Sequence, residues 1–165
     1  MTDEPPGPSP STALQSGTSP PGPLELHVSS DTAALAQVRH QVEAYAAAAG
    51  FDETAVAEIG LVMNEAMANI IRHAYGNEPG RPIMVDADLV AGRTPEEMQL
   101  RLRLRDWGVG VNPACVSVRG YVPGEPGGLG LVCLKQMMDS VEYTPQPDGM
   151  LLTMTRGKTP HRRCP

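Results

Sequence analysis

The chain has 165 residues, enough for one domain with a single sizeable core. Its net charge of −6 argues against a nucleic-acid partner, which needs a basic stripe, and Arg101, Arg103 and Arg105 alternate with leucines as the solvent face of a strand does. Three cysteines, Cys115, Cys133 and Cys164, are odd in number and match no zinc spacing. The acidic, Pro-rich start is unlike a signal peptide, and no apolar run approaches the roughly 18 residues of a membrane span. A cytoplasmic protein without membrane contact is expected.

Residues 1–23 hold seven of the 17 prolines, a composition that cannot bury enough apolar surface to offset chain entropy, so a disordered tail is expected there. One folded domain should run from 24 to 158, with 159–165 as a second short tail. "LELHV" (24–28) alternates like a strand. Asp31 can cap a helix carrying Leu35, Val38, Val42 and Tyr45 that stops at Gly50, and Asp52 caps a longer helix running to about Ala74. "IMVDADLV" (83–90) and "MQLRLRLRD" (98–106) alternate apolar and polar around the turn "AGRTPEE". A Gly/Pro-rich loop, a helix from about Leu129 to Met138, and a hairpin of "VEYT" and "MLLTMT" complete the chain. The pattern predicts an α/β (α+β) sandwich: a mostly antiparallel sheet with helices on one face.

Three stretches carry possible chemistry. On the second helix, Val56, Ile59, Met63, Met67, Ile70 and Ile71 share the side expected against the sheet, while Glu65, Asn69, Arg72 and His73 share the other, continued by Glu58 one turn earlier. A solvated face is the plain alternative. Against it, Leu61 and Val62 flank the stripe, and the segment has few of the opposite-charge pairs that dress an exposed helix. A carboxylate one turn from an amide can accept a proton from a nucleophile while the amide oxygen ligates a hard cation such as Mg²⁺.

The second stretch is "DWGVGV" (106–111). Asp106 has the parity of Leu100, Leu102 and Leu104, so the strand delivers a carboxylate to its buried side, and Gly108 and Gly110 let backbone approach a ligand. In the third, Gly127, Gly128 and Gly130 precede an apolar helix whose free N–H groups favour phosphate. It is neither a Walker A loop nor a dinucleotide fingerprint. Each pattern alone is weak, and each has a plain reading as turn or loop. Their order describes one ligand site: the Asp for an adenine amino group, the helix amides for phosphates, the Asn for Mg²⁺ and the Glu for a reacting hydroxyl.

The succession "NEAMANIIRHAY", "DWGVGV", "GGLGL" resembles the N, G1 and G2 boxes of the GHKL ATPases, which share the Bergerat (histidine-kinase-like) fold. Within them it is most similar to the small anti-sigma-factor serine/threonine kinases, from "LELHV" to "TMTRG". The resemblance implies that Glu65 is the general base, Asn69 the Mg²⁺-binding asparagine, and His73 a residue near the phosphates. Asp106 becomes the adenine-reading aspartate, with Gly108, Gly110 and Val111 beside it, and Gly128, Leu129, Gly130 and Leu131 the phosphate-facing box. The segment from about Val111 to Gly127 would be an ATP lid with Arg119 as its basic residue. Such proteins use ATP and Mg²⁺, bind a sigma factor as homodimers and phosphorylate a serine of an anti-anti-sigma (STAS-type) antagonist. The family usually has a threonine in the last strand that supports the aspartate. Counting from the preceding glycine puts Leu151 there, with Thr153 two residues on.

Two functions follow from the resemblance. One is an ATP-dependent kinase, supported by the intact Glu65/Asn69 pair; the other is an ATP-gated protein-binding switch with little kinase activity, supported by a lid poor in cations. A sensor histidine kinase would need a phospho-acceptor helix pair, and the only extra helix, carrying His40, is accounted for by the anti-sigma pattern.

Overall fold

The structure is a computed structural model, and it describes residues 20–92, 97–109 and 134–158. Chain order is β1 (Leu24–Ser29), α1 (Thr32–Ala48), α2 (Glu53–Asn69), β2 (Pro82–Ala91), β3 (Met98–Asp106), a helical segment α3 at 134–137, β4 (Ser140–Gln146) and β5 (Gly149–Gly157). The strands form one antiparallel sheet in the order β1-β2-β3-β5-β4. Of the expected last helix, residues 129–133 lie outside the described residues.

Strand alternation builds the two faces. On β3, Leu100, Leu102, Leu104 and Asp106 are buried, while the arginines between them look out on the uncovered face. There Arg101 pairs with Asp88, Arg103 with Asp86 at 3.5 Å, and Arg105 with Asp148. The first two are direct cross-strand neighbours, so opposite charges hold the β2–β3 register from outside. The inner face meets Val38, Val42, Ile59, Val62, Met63, Met67 and Leu134 in one continuous core.

The helices start differently. The Asp52 carboxylate accepts from the Ala55 amide at 2.7 Å, a side-chain cap that satisfies one free helix donor. Asp31 also occupies a cap position, but its side chain makes no capping bond and instead accepts from the Ser29 hydroxyl. The two helices approach closely at Gly60, where an added Cβ would meet the Glu43 side chain. The continuous helical stretch Glu53–Ala74 has the length and mean hydropathy, 1.2, of a membrane span, and half of it is buried inside the fold.

α2 does not remain α-helical to Ala74. From Ile70 to Ala74 it widens into a π turn, with the Tyr75 amide bonding back to the Ile70 carbonyl at 3.1 Å and the Asn77 amide to Ile71 at 2.8 Å. The wider turn lets Ile70, Ile71, Ala74 and Tyr75 all enter the core. Single π turns of this kind recur at functional sites. Gly76 and Asn77, both in the left-handed region, end it.

Candidate functional site

Glu65 and Asn69 lie one turn apart near the C-terminal end of α2, about 6 Å along its axis. Both are half-buried, and neither side chain makes a hydrogen bond or ion pair among the described residues. The expected polar stripe changes character beyond them, because the π turn breaks the 3.6-residue step: Arg72 and His73 are exposed. Glu58, one turn upstream of the stripe, is engaged in an ion pair with Arg156 at 2.5 Å.

Asp106 ends β3 on the buried face and is 3 % exposed. Its Oδ1 accepts from the Gly108 amide at 2.9 Å. Burial raises its carboxyl above the ordinary aspartate range, against the lowering influence of the Gly108 N–H and of Arg105. Oδ2 has no hydrogen-bond partner among the described residues, so an acceptor oxygen remains on a buried carboxylate. That chemistry suits a donor such as an exocyclic amino group.

Gly108 has a role different from the one its sequence position suggests. A Cβ there would lie 2.4 Å from the Ala74 carbonyl oxygen. The missing side chain therefore lets the turn after β3 close on the end of the helix, and the Val109 amide bonds to Ala74 at 3.2 Å. Beside this junction a cleft of about 490 Å³ opens, lined by His73, Tyr75, Arg81, Trp107, Gly108 and Val109 among others. Of the expected site residues, His73 and Gly108 line this cleft; Glu65, Asn69 and Asp106 do not.

Thr153 does not accompany Asp106. It pairs with Arg103, and both face the uncovered side of the sheet, as does Leu151 opposite Arg105. The residue across from Asp106 on the buried face is Met150, which brings no hydroxyl to the carboxylate. Counting from Gly149 missed this because the facing of each β5 residue depends on its long-range pairing with β3. Gly110, Val111, Arg119, Gly128, Leu129, Gly130 and Leu131 lie outside the described residues.

Tyr75 and Arg81 were not singled out by sequence reasoning. The Tyr75 hydroxyl donates to the Pro82 carbonyl at 2.5 Å and accepts from the Trp107 amide at 2.8 Å. Arg81 lies over the Tyr75 ring, 5.1 Å from its centre, and reaches the Trp107 carbonyl at 3.5 Å. Arg105 covers the Trp107 ring at 4.7 Å. The available signal was an aromatic residue directly before the helix-ending Gly76.

Comparison with known proteins bears on the family and the fold. Residues 28–156 match the histidine kinase-like ATPase domain family. The chain is 29 % identical over 104 residues to the anti-sigma F factor of Oceanobacillus iheyensis, covering 60 % of this chain and 67 % of that protein. Its fold is similar to the solved structure of the RsbU and RsbW domains of Rv1364c from Mycobacterium tuberculosis, with a TM-score of 0.58 at 20 % identity. That likeness covers 88 % of this chain and 35 % of the solved one, so this chain spans about a third of its length. The glutamate and asparagine of α2, the buried Asp106 and the antiparallel sandwich around them thus sit inside a matched segment of 129 residues, and the chain belongs to the histidine kinase-like ATPase domain family.

Proposed function

We propose that this chain is an ATP-dependent anti-sigma factor with serine/threonine kinase activity, working in the cytoplasm as a homodimer. It would bind a sigma factor and phosphorylate an anti-anti-sigma antagonist of the STAS type. One observation carries the reading: a carboxylate and an amide with no side-chain partner among the described residues, Glu65 and Asn69, stand half-buried one turn apart on the helix whose end is bonded to the turn after Asp106. The likeness to an anti-sigma F factor supports the choice of partners.

Each residue then has a role set by its chemistry. Asp106 accepts the adenine amino group through its open oxygen and holds the base. Glu65 receives the proton of the acceptor serine as its oxygen bonds to the γ-phosphorus of ATP and the bond to the β,γ-bridging oxygen breaks, releasing ADP. The Asn69 side-chain oxygen is the protein's ligand for Mg²⁺; no group of three acidic, histidine or cysteine side chains that could hold a metal occurs among the described residues, and Mg²⁺ commonly takes its other ligands from phosphates and water. Bound there, the ion would neutralise charge on the transferring phosphoryl group. His73, exposed on the π turn and lining the cleft, takes the phosphate side of the nucleotide in this reading; Gly128, Leu129, Gly130 and Leu131, outside the described residues, are assigned to the phosphates by the family resemblance alone.

The test uses Trp107, the only tryptophan, which adjoins Asp106. ATP titrated with and without Mg²⁺ should change its fluorescence saturably, with calorimetry confirming the affinity, and Asp106→Asn should abolish both. With a STAS-domain antagonist and labelled ATP, Glu65→Ala should lose phosphorylation while keeping nucleotide affinity. A wild type that binds ATP and a sigma factor but transfers no phosphate selects the second reading, an ATP-gated binding switch. A wild type that binds no ATP ends both.

A further inference from the structure

We propose that Tyr75 is a positioning residue for nucleotide recognition: its hydroxyl fixes the peptide from which Asp106 reads the base. This rests on the assignment of Asp106 to adenine made above.

The β2–β3 ladder ends at the Ile83–Asp106 pair. One residue further, Pro82 offers a carbonyl and Trp107 an amide, and the Tyr75 hydroxyl stands between them, donating to the first at 2.5 Å and accepting from the second at 2.8 Å. A phenol therefore takes the place of the next rung. The strand ends are held at a spacing that the hydroxyl sets. The ring is 6 % exposed, and burial raises the phenol's pKa, so the hydroxyl stays protonated and keeps its donor.

The held peptide is the one that matters for Asp106. It joins Asp106 to Trp107, and one residue on the Gly108 amide bonds the carboxylate at 2.9 Å. Arg81 secures the other end of Trp107, donating to its carbonyl at 3.5 Å while lying over the Tyr75 ring. Both backbone groups of Trp107 are thus occupied, one by each residue. On the other flank the Arg105 guanidinium donates to the Asp106 carbonyl, but β5 places Met150 across from the aspartate and brings no donor to its carboxylate. The carboxylate's aim depends on the Tyr75 side of the site.

A core tyrosine with only a packing role would affect all nucleotides alike. A positioning role affects the base contact alone, so the test compares ATP with ITP, which carries an oxo group where adenine has its amino group. Calorimetry on the full chain should find that the wild type prefers ATP. Tyr75→Phe keeps the ring and removes the hydroxyl; it should weaken ATP binding about tenfold, near the worth of one hydrogen bond, and leave ITP binding nearly unchanged. Without nucleotide, hydrogen exchange at the Trp107 amide should accelerate while the Leu100–Leu104 amides keep their protection. Arg81→Met should shift the ATP preference in the same direction by less, and it decides the matter if Tyr75→Phe does not fold. Retained ATP preference in the folded Tyr75→Phe protein overturns the proposal and leaves the Asp106 assignment standing. Equal loss of ATP and ITP also overturns it, in favour of packing. A wild type that binds both nucleotides equally removes the Asp106 assignment itself.

Discussion

The amide of Val109 donates to the carbonyl of Ala74 at 3.2 Å, so the turn following the buried aspartate is bonded directly to the end of the helix that carries Glu65 and Asn69. Gly108 makes this contact possible, since a Cβ there would sit 2.4 Å from the same carbonyl oxygen and 2.6 Å from the Ala74 methyl. Backbone gives way less readily than a side-chain tip. Gly108→Ala should therefore destabilise the fold by about 1–3 kcal/mol, the usual range for overpacking, with urea unfolding as the measurement. Because the displaced turn carries the Asp106 partner amide, nucleotide affinity should fall in the same variant. Unchanged stability would mean that the turn and helix end are not in contact.

Asp106 shows a conflict between stability and function. Burial, its dominant influence, raises the carboxyl above its unfolded value, so the folded state favours the protonated form. The sign follows from linkage: the contribution of Asp106 to stability is most favourable below the unfolded pKa, near 3.9, and is lost as pH rises through the folded pKa. At pH 7 the ionised group is a liability to the empty fold. Asp106→Asn, which retains an oxygen for the Gly108 amide, should raise the melting temperature at pH 7 and lose that advantage towards pH 3. It should also abolish ATP binding. A melting temperature that falls at pH 7 would show that the carboxylate is better satisfied than its burial indicates.

Much of this fold was legible because its signals are local. The strict alternation of "MQLRLRLRD" set both the extent of β3 and the inward facing of Asp106, the buried carboxylate among the described strand residues. Asp52 and its cap were likewise readable, whereas Asp31 occupies the same kind of position and gives its carboxylate to Ser29 instead. Three features were not readable. Five apolar and polar residues cannot distinguish a π turn from an α turn, because the difference lies in which carbonyl the Tyr75 amide chooses. Thr153 was misassigned because its facing depends on pairing with Arg103, fifty residues away in sequence. Tyr75 earns its role from two partners, Pro82 and Trp107, that only the folded sheet brings to it.

Met150 offers a gain of function rather than a loss. It is the buried cross-strand neighbour of Asp106, and a short β-branched hydroxyl there fits a strand. Met150→Thr should cost stability, about 1–3 kcal/mol for the lost apolar volume and buried hydroxyl. It should also donate a hydrogen bond to the ionised carboxylate and tighten ATP binding roughly three- to tenfold, about the worth of one such bond. Calorimetry alongside urea unfolding separates the two effects. Equal or weaker ATP binding in a well-folded variant would show that Asp106 needs no support from β5.

Arg156 ties three elements together at the far side of the core. Its guanidinium pairs with Glu58 of α2 at 2.5 Å and donates to the Met137 carbonyl at the end of α3, and its side chain is only 14 % exposed. A cation at a helix C-terminus satisfies a carbonyl that has no partner within the helix and complements the dipole. The neighbouring Asp139 reinforces the same junction, its amide bonding to Thr155 at 2.8 Å and its carboxylate accepting from the Gly157 amide at 2.7 Å. Removing the guanidinium leaves both a half-buried carboxylate and a helix-end carbonyl without their donor. Arg156→Met, which keeps the apolar stem, should therefore destabilise by roughly 1.5–3 kcal/mol, the range for hydrogen bonds to charged groups. Glu58→Gln retains an acceptor for Arg156 and should cost less. In a double-mutant cycle the two losses should fall short of additivity, because each variant breaks the same contact. Strict additivity would mean that Arg156 acts through the Met137 carbonyl alone, and that α2 and α3 are held together by their packing in the core.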